Sequence, residues 1–183
     1  THPDSTYEEL EYTDLSLTRS RDRLGRWTEF EYNANRELVK VTDPLSRETE
    51  YEWCLCGKLQ KLIDGNGNLT KWKYDLQGRL LEKEYANGGK TLYGYTAARS
   101  LLADITDAKG QKKVFSYAID DRQIGLDYQD EAIVTPDVTL TWDLRHPRLN
   151  QVVATGTTAL SYVAAGQDGA GALASVDGPL SND

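Results

Sequence analysis

Eight pairs of apolar or aromatic residues, each pair split by one position, run along the chain at a nearly constant interval. They are Leu10/Tyr12, Phe30/Tyr32, Tyr51/Trp53, Trp72/Tyr74, Tyr93/Tyr95, Phe115/Tyr117, Leu140/Trp142 and Leu160/Tyr162. Their second members are spaced by 20, 21, 21, 21, 22, 25 and 20 residues, which marks a repeat architecture. Residues i and i+2 share one face of a strand. The intervening positions are mostly polar, as in Glu29 and Glu31, Glu50 and Glu52, and Lys71 and Lys73. A helix would scatter Phe30 and Tyr32 around its axis, so the pattern predicts strands with one apolar face.

Turn chemistry recurs between the pairs. Asn33-Ala34-Asn35-Arg36, Leu55-Cys56-Gly57-Lys58 and Asp75-Leu76-Gln77-Gly78 fill one turn slot. Asp43-Pro44-Leu45-Ser46, Asp64-Gly65-Asn66-Gly67-Asn68 and Asp107-Ala108-Lys109-Gly110 fill the other. These residues supply positive φ, a preset φ, or side chains that bond nearby backbone. A second strand per repeat follows the first slot, carrying Leu38/Val41, Leu59/Leu62, Leu80/Lys83 and Leu102/Ile105. Their spacing of three breaks strict alternation. It places Leu38, Leu59, Leu80 and Leu102 at the turn exit, or requires a bulge that shifts the phase.

Such short links allow only antiparallel pairing between sequence neighbours. The predicted fold is therefore all-β, a curved antiparallel meander of about 14 to 16 strands. Regular repeats are expected over 1–119, looser ones over 120–154 and a Gly/Ala-rich atypical repeat over 155–183, as one incomplete domain. The residues around 127–137 read as an extended turn. Val163–Gly171 reads as an enlarged loop within the array or as its fraying end. Neither terminus carries the polar cap of a solenoid end, so the chain is expected to be part of a longer array.

Composition changes this picture little. Eleven Tyr and four Trp against two Phe favour strands. A net charge of −8 argues against a nucleic-acid footprint. No apolar run has the length of a membrane-spanning helix.

The stretch Tyr74-Asp75-Leu76-Gln77-Gly78-Arg79-Leu80 resembles the Y-D-x-x-G-R-L signature of the Rhs/YD-repeat family. Val41-Thr42-Asp43-Pro44-Leu45-Ser46-Arg47 and Thr106-Asp107-Ala108-Lys109-Gly110-Gln111 resemble its connectors. In other copies the Asp position holds Asn33, Cys54, Thr96, Ala118 and Val163, returning to Asp only at Asp143. The resemblance implies a large secreted or cell-surface protein, bacterial by family likeness. Repeats of that family coil into a hollow β-shell around a cargo, often a toxin domain. Its autoproteolytic segment carries paired Asp-Pro-x-Gly-Leu motifs. Asp43-Pro44-Leu45-Ser46 and Asp177-Gly178-Pro179-Leu180 do not match them, so no catalytic residue carries over.

Local candidates for chemistry are few. Cys54 and Cys56 would serve as part of a metal site, as a strained bridge, as links between protomers, or as two small residues at a strand–turn junction. Zinc wants four ligands, and the histidines are only His2 and His146. Asp64, Asn66 and Asn68 imitate a calcium loop, but Leu69 stands where its glycine belongs, and a hairpin turn is expected. Glu29/Glu31 and Glu50/Glu52 lie on a predicted outer face, not across a cleft. No catalysis, cofactor or metal is expected.

What remains is the aromatic ladder: Tyr12, Phe30, Tyr32, Tyr51, Trp53, Trp72, Tyr74, Tyr93, Tyr95, Phe115, Tyr117, Trp142 and Tyr162. A single curved sheet leaves it without a covering layer. The leading expectation is a structural module that walls in or presents a toxin or effector cargo. The alternative is an adhesion module that binds glycans or partners through the same rings. Expected partners are neighbouring repeats, other copies meeting edge to edge, and a cargo domain or glycan.

Overall fold

A computed structural model describes residues 6–130, 135–142, 150–153 and 156–178. His2, Asp143, His146, Pro179 and Leu180 lie outside the described residues. The chain separates into two compact units, Thr1–Lys90 and Thr91–Asp183. The first contains β1 (Glu9–Thr13), β2 (Ser16–Arg21), β3 (Trp27–Tyr32), β4 (Leu38–Thr42), β5 (Glu48–Trp53), β6 (Leu59–Ile63), β7 (Leu69–Tyr74) and β8 (Leu80–Glu84). Each pairs antiparallel with the next. The second repeats the scheme with β9 (Lys90–Tyr95), β10 (Leu102–Thr106), β11 (Lys112–Tyr117), β12 (Gln123–Gln129), β13 (Val138–Thr141), β14 (Asn150–Val153), β15 (Gly156–Tyr162) and β16 (Leu173–Asp177). The described residues contain no helix, and the all-β antiparallel meander stands.

The spacing of three has a specific cause. Tyr32 pairs with Leu38 while Glu31 pairs with Lys40, leaving Val39 as the extra residue of a bulge. Gln60, Leu81, Ala103 and Ile124 occupy the same position in later repeats. Directly paired residues share a face, so Leu38 opposite Tyr32 and Val41 opposite Phe30 both join the aromatic side. Leu38, Leu59, Leu80 and Leu102 also open their strands at the turn exit. Both halves of the expectation hold at once.

The enlarged loop after β15 is a closed structure continuing the meander. Val163 N–H donates to Ala172 O, Gly171 N–H donates back to Val163 O, and β16 then pairs with β15.

No hydrophobic side chain among the described residues is fully buried, and only Thr91 falls to 8 % exposure. Burial instead alternates along β3, β5, β7 and β13, while β2, β4, β6 and β10 are half-buried throughout. In β5, Thr49, Tyr51 and Trp53 are half-buried while Glu48, Glu50 and Glu52 are exposed. The charged side is cross-linked between strands. Lys40 lies 3.5 Å from Glu31 and 2.6 Å from Glu48, and Arg19 bridges Glu11 and Glu29 at 3.4 and 3.3 Å. Glu82 takes both Lys73 and Lys90, at 2.9 and 3.0 Å, and those hydrogen bonds hold its carboxyl below the usual range. Exposed pairs add little stability singly, but opposite charges facing across strands favour one register over a slipped one.

Candidate functional site

The first members of the aromatic pairs pack against apolar partners on the neighbouring strand. Phe30 faces Val41, Tyr51 faces Leu62, Tyr93 faces Ile105 and Phe115 faces Leu126. Trp72 faces Lys83, whose ammonium lies 5.8 Å from the Trp72 ring centre and 4.7 Å from that of Tyr85. Within the first unit Phe30, Tyr32, Tyr51, Trp53, Trp72 and Tyr74 are all half-buried. Tyr12, on β1, is 60 % exposed. In the second unit Tyr93, Tyr95, Phe115, Tyr117, Trp142 and Tyr162 are half-buried, with Trp142 just past the end of β13.

The second members have a further task. The Trp53 indole N–H donates to Leu38 O at 2.7 Å, and the Tyr74 hydroxyl donates to Leu59 O at 2.8 Å. The Tyr117 hydroxyl donates to Leu102 O at 2.8 Å, and the Trp142 indole to Gln123 O at 2.6 Å. The ladder between β4 and β5 runs only from Lys40↔Glu50 to Thr42↔Glu48. Leu38 thus lies beyond it, and the ring of Trp53 closes the gap by satisfying its carbonyl. Partial burial accordingly pushes the Tyr74 and Tyr117 phenols above their ordinary pKa.

The sequence carries a signal for this role. Every second member is Tyr or Trp, whereas Phe and Leu occur only among the first members. Only a ring with an O–H or N–H can serve at the second position.

The turns explain the rest of the motif. Asp75 Oδ1 accepts the backbone N–H of Gln77 and of Arg79, and Oδ2 accepts the Arg79 guanidinium at 2.6 Å. Gly78, between them, has φ of +77°. Asp22 with Arg26 and Asp43 with Arg47 repeat the arrangement. Asn33 and Asp107 accept the same two N–H groups. The Asp64 carboxylate, weighed above as a calcium ligand, is taken up by Asn66 N–H, Asn68 N–H and the Asn68 amide. Glu29, Glu31 and Glu52 are engaged by Arg19, Lys40 and Lys61 across strands.

Cys54 occupies the Asp position of its turn, and it is disulfide-bonded to Cys56. The described residues contain no free cysteine, so of the readings open above the bridge is the one present. Its Sγ accepts the same two N–H groups, from Cys56 at 3.3 Å and Lys58 at 3.4 Å.

The turn donors hold several carboxyls below the usual Asp range. At Asp22 and Asp43 the Arg26 and Arg47 backbone N–H groups are the largest cause, followed by the guanidinium bonds. At Asp64 the Asn68 amide leads. At Asp75 desolvation is the largest single effect and pushes upward, but the Arg79 and Gln77 donors together outweigh it. A depressed folded-state pKa contributes stability that is present above the unfolded value, about 4, and lost as pH falls through the folded one. The thermal midpoint is therefore expected to hold between neutral pH and about 5 and to drop below about 4. Circular dichroism melts across that range check it, and equal midpoints at pH 3 and pH 7 would contradict it.

Residues 74–112 match the RHS Repeat family. No curated protein matches the chain. Among solved structures, a chain of the Photorhabdus luminescens Tc holotoxin pore is similar over 92 % of this chain and 11 % of its own, at 15 % identity and a TM-score of 0.73. A chain in the crystal structure of TcdB2-TccC3-TEV is similar over 75 % of this chain and 8 % of its own, at 16 % identity and a TM-score of 0.63. One in TcdB2-TccC3 is similar over 85 % and 10 %, at 12 % identity and a TM-score of 0.61. This chain therefore spans about a tenth of the length of the structures it matches, and at these identities the likeness is one of fold. With the same capped turn and the same donor-bearing ring recurring through both units, the chain is an antiparallel β-repeat array whose residues 74–112 match the RHS Repeat family and whose fold is similar to that of the Tc toxin chains.

Proposed function

We propose that this chain is a stretch of wall in a large secreted or cell-surface Rhs-type protein, with its aromatic face turned toward an enclosed toxin or effector cargo. The observation that carries the reading is that the described strands of each unit form a single layer, whose two faces in the first unit differ chemically. One side is a row of half-buried rings, the other a lattice of paired charges. A sheet without a second layer leaves its apolar side to be covered by something else. Its fold likeness to Tc toxin chains supports a shell as that setting. The chain's role in this reading is architectural and not catalytic.

The test is protease protection of the whole encoded polypeptide. Its cargo is expected to survive protease under native conditions and to be digested once denaturant opens the wall. Digestion of the cargo at native rates comparable to the free domain would overturn the reading. Half-exposure of rings such as Trp72 also suits glycan stacking. A glycan-array signal that disappears in a folded Trp72→Ala variant would favour adhesion instead.

A further inference from the structure

The repeats calibrate one another, and Cys54 is where that comparison has a chemical consequence. In its sister turns the same position holds a carboxylate that accepts the N–H groups of residues i+2 and i+4. In the Cys54 turn the identical donors, Cys56 N–H and Lys58 N–H, point at Sγ. The slot holds a carboxylate at Asp22, Asp43, Asp64, Asp75 and Asp107 and an amide at Asn33, and in the bridged state of this turn it holds a neutral sulfur.

Three further observations bear on the bridge. Cys56 is exposed and Cys54 half-buried, so an incoming group reaches Cys56 more freely. The bridge joins residues only two apart, and so short a loop gains little from chain entropy. The turn is also fastened without it, because Cys54 N–H donates to Lys58 O and Gly57 N–H to Cys54 O, both at 2.9 Å. Opening the bridge therefore leaves the hairpin in place.

We propose that Cys54–Cys56 is a thiol–disulfide exchange site, attacked at Cys56 by an external thiol, with Cys54 leaving as a thiolate held in the turn's anion slot. An incoming thiolate forms a bond to Cys56 Sγ. The Cys54–Cys56 bond breaks, and its electron pair stays on Cys54 Sγ. A second thiolate attacks the mixed disulfide at the incoming thiol's sulfur, releasing that thiol as its oxidised dimer and leaving Cys56 as a thiolate that takes up a proton. Two thiols are oxidised to one disulfide and the protein gains two electrons. Run backward, the opened site reduces an external disulfide to two thiols and closes its own bridge. A stabilised leaving thiolate makes the first step fast and its direction specific. Lys58, the cation of this turn, has its ammonium 5.6 Å from the Tyr74 ring centre, so the slot's backbone donors are the contacts the structure shows at Cys54 Sγ.

The experiment uses the intact chain with reduced glutathione as the thiol, acid quenching and peptide mapping. The bridge is expected to open at millimolar glutathione under native conditions, with the trapped glutathione adduct on Cys56. In the Cys56→Ser variant, iodoacetamide should modify Cys54 several-fold faster at neutral pH than it modifies Cys56 in the Cys54→Ser variant. The rate should also rise at lower pH for Cys54 than for Cys56. A Cys54→Asp variant that also carries Cys56→Ser restores the sister turns' carboxylate and should melt no lower than the reduced parent. An adduct on Cys54, indistinguishable alkylation profiles, or a bridge that resists glutathione while the sheet is folded would each overturn the proposal. So would a lower melting point for the Asp variant.

Discussion

Trp53→Ala is expected to lower the unfolding free energy by about 2–3 kcal/mol, and Trp53→Phe by about 1 kcal/mol. The two differ because the side chain does two things. Its ring is half-buried on the aromatic side of β5, and its N–H donates to Leu38 O beyond the β4–β5 ladder. Phenylalanine keeps most of the packing and abandons the carbonyl. Tyr74→Phe isolates the hydrogen bond in the next repeat, since only the hydroxyl to Leu59 O is lost, and about 1 kcal/mol is expected there too. Urea titrations followed by circular dichroism would measure all three. Equal losses for Trp53→Phe and Trp53→Ala would mean the ring packs without its polar role. No loss in either would mean the ring contributes nothing to the sheet.

Gly78→Val should cost about 2 kcal/mol. Gly78 sits at φ of +77°, which a β-branched residue adopts only under strain, and a Cβ there would come within 3.0 Å of Lys58 Cε. Gly67 has nearly the same φ, +81°, with open space around it, so Gly67→Val isolates the backbone component and should cost less. Ser46, at φ of +61°, already stands in a sister position with a side chain. Replacing it with glycine relieves strain but frees the unfolded chain, so Ser46→Gly should gain no more than about 0.5 kcal/mol. A Gly78→Val chain as stable as the parent would show that Lys58 and the turn relax freely.

Strand positions, period and one-sided burial were legible because alternation survives in every repeat, down to Glu48–Trp53 with its strict exposed and half-buried order. The bulge was half legible. A leucine three residues before Val41 demanded an extra residue somewhere, but only the pairing of Tyr32 with Leu38 shows where it falls. The Asp of the signature read correctly as turn chemistry, while its partnership with Arg79 did not, because the pairing depends on how the turn closes. The Tyr and Trp donors were not legible from alternation alone, because a pattern of apolar pairs hides the polar atom on each ring. Cys54 was opaque for a related reason: sulfur is not a customary cap, and only its sister turns show what the position does. Arg99, which donates to Ala118 O and Ile119 O about twenty residues away, gave no local signal.

The lack of any fully buried apolar side chain among the described residues has a mechanical consequence. In a globular domain, force applied at one end meets a core that yields all at once. Here cohesion lies in successive seams between neighbouring strands, each closed by a few ladder bonds, with a ring reaching over a carbonyl at seams such as β4–β5, β6–β7 and β10–β11. A pull across the strands from either edge of a unit opens those seams one after another, so each unit resists like a zip fastener and gives way in small, similar steps.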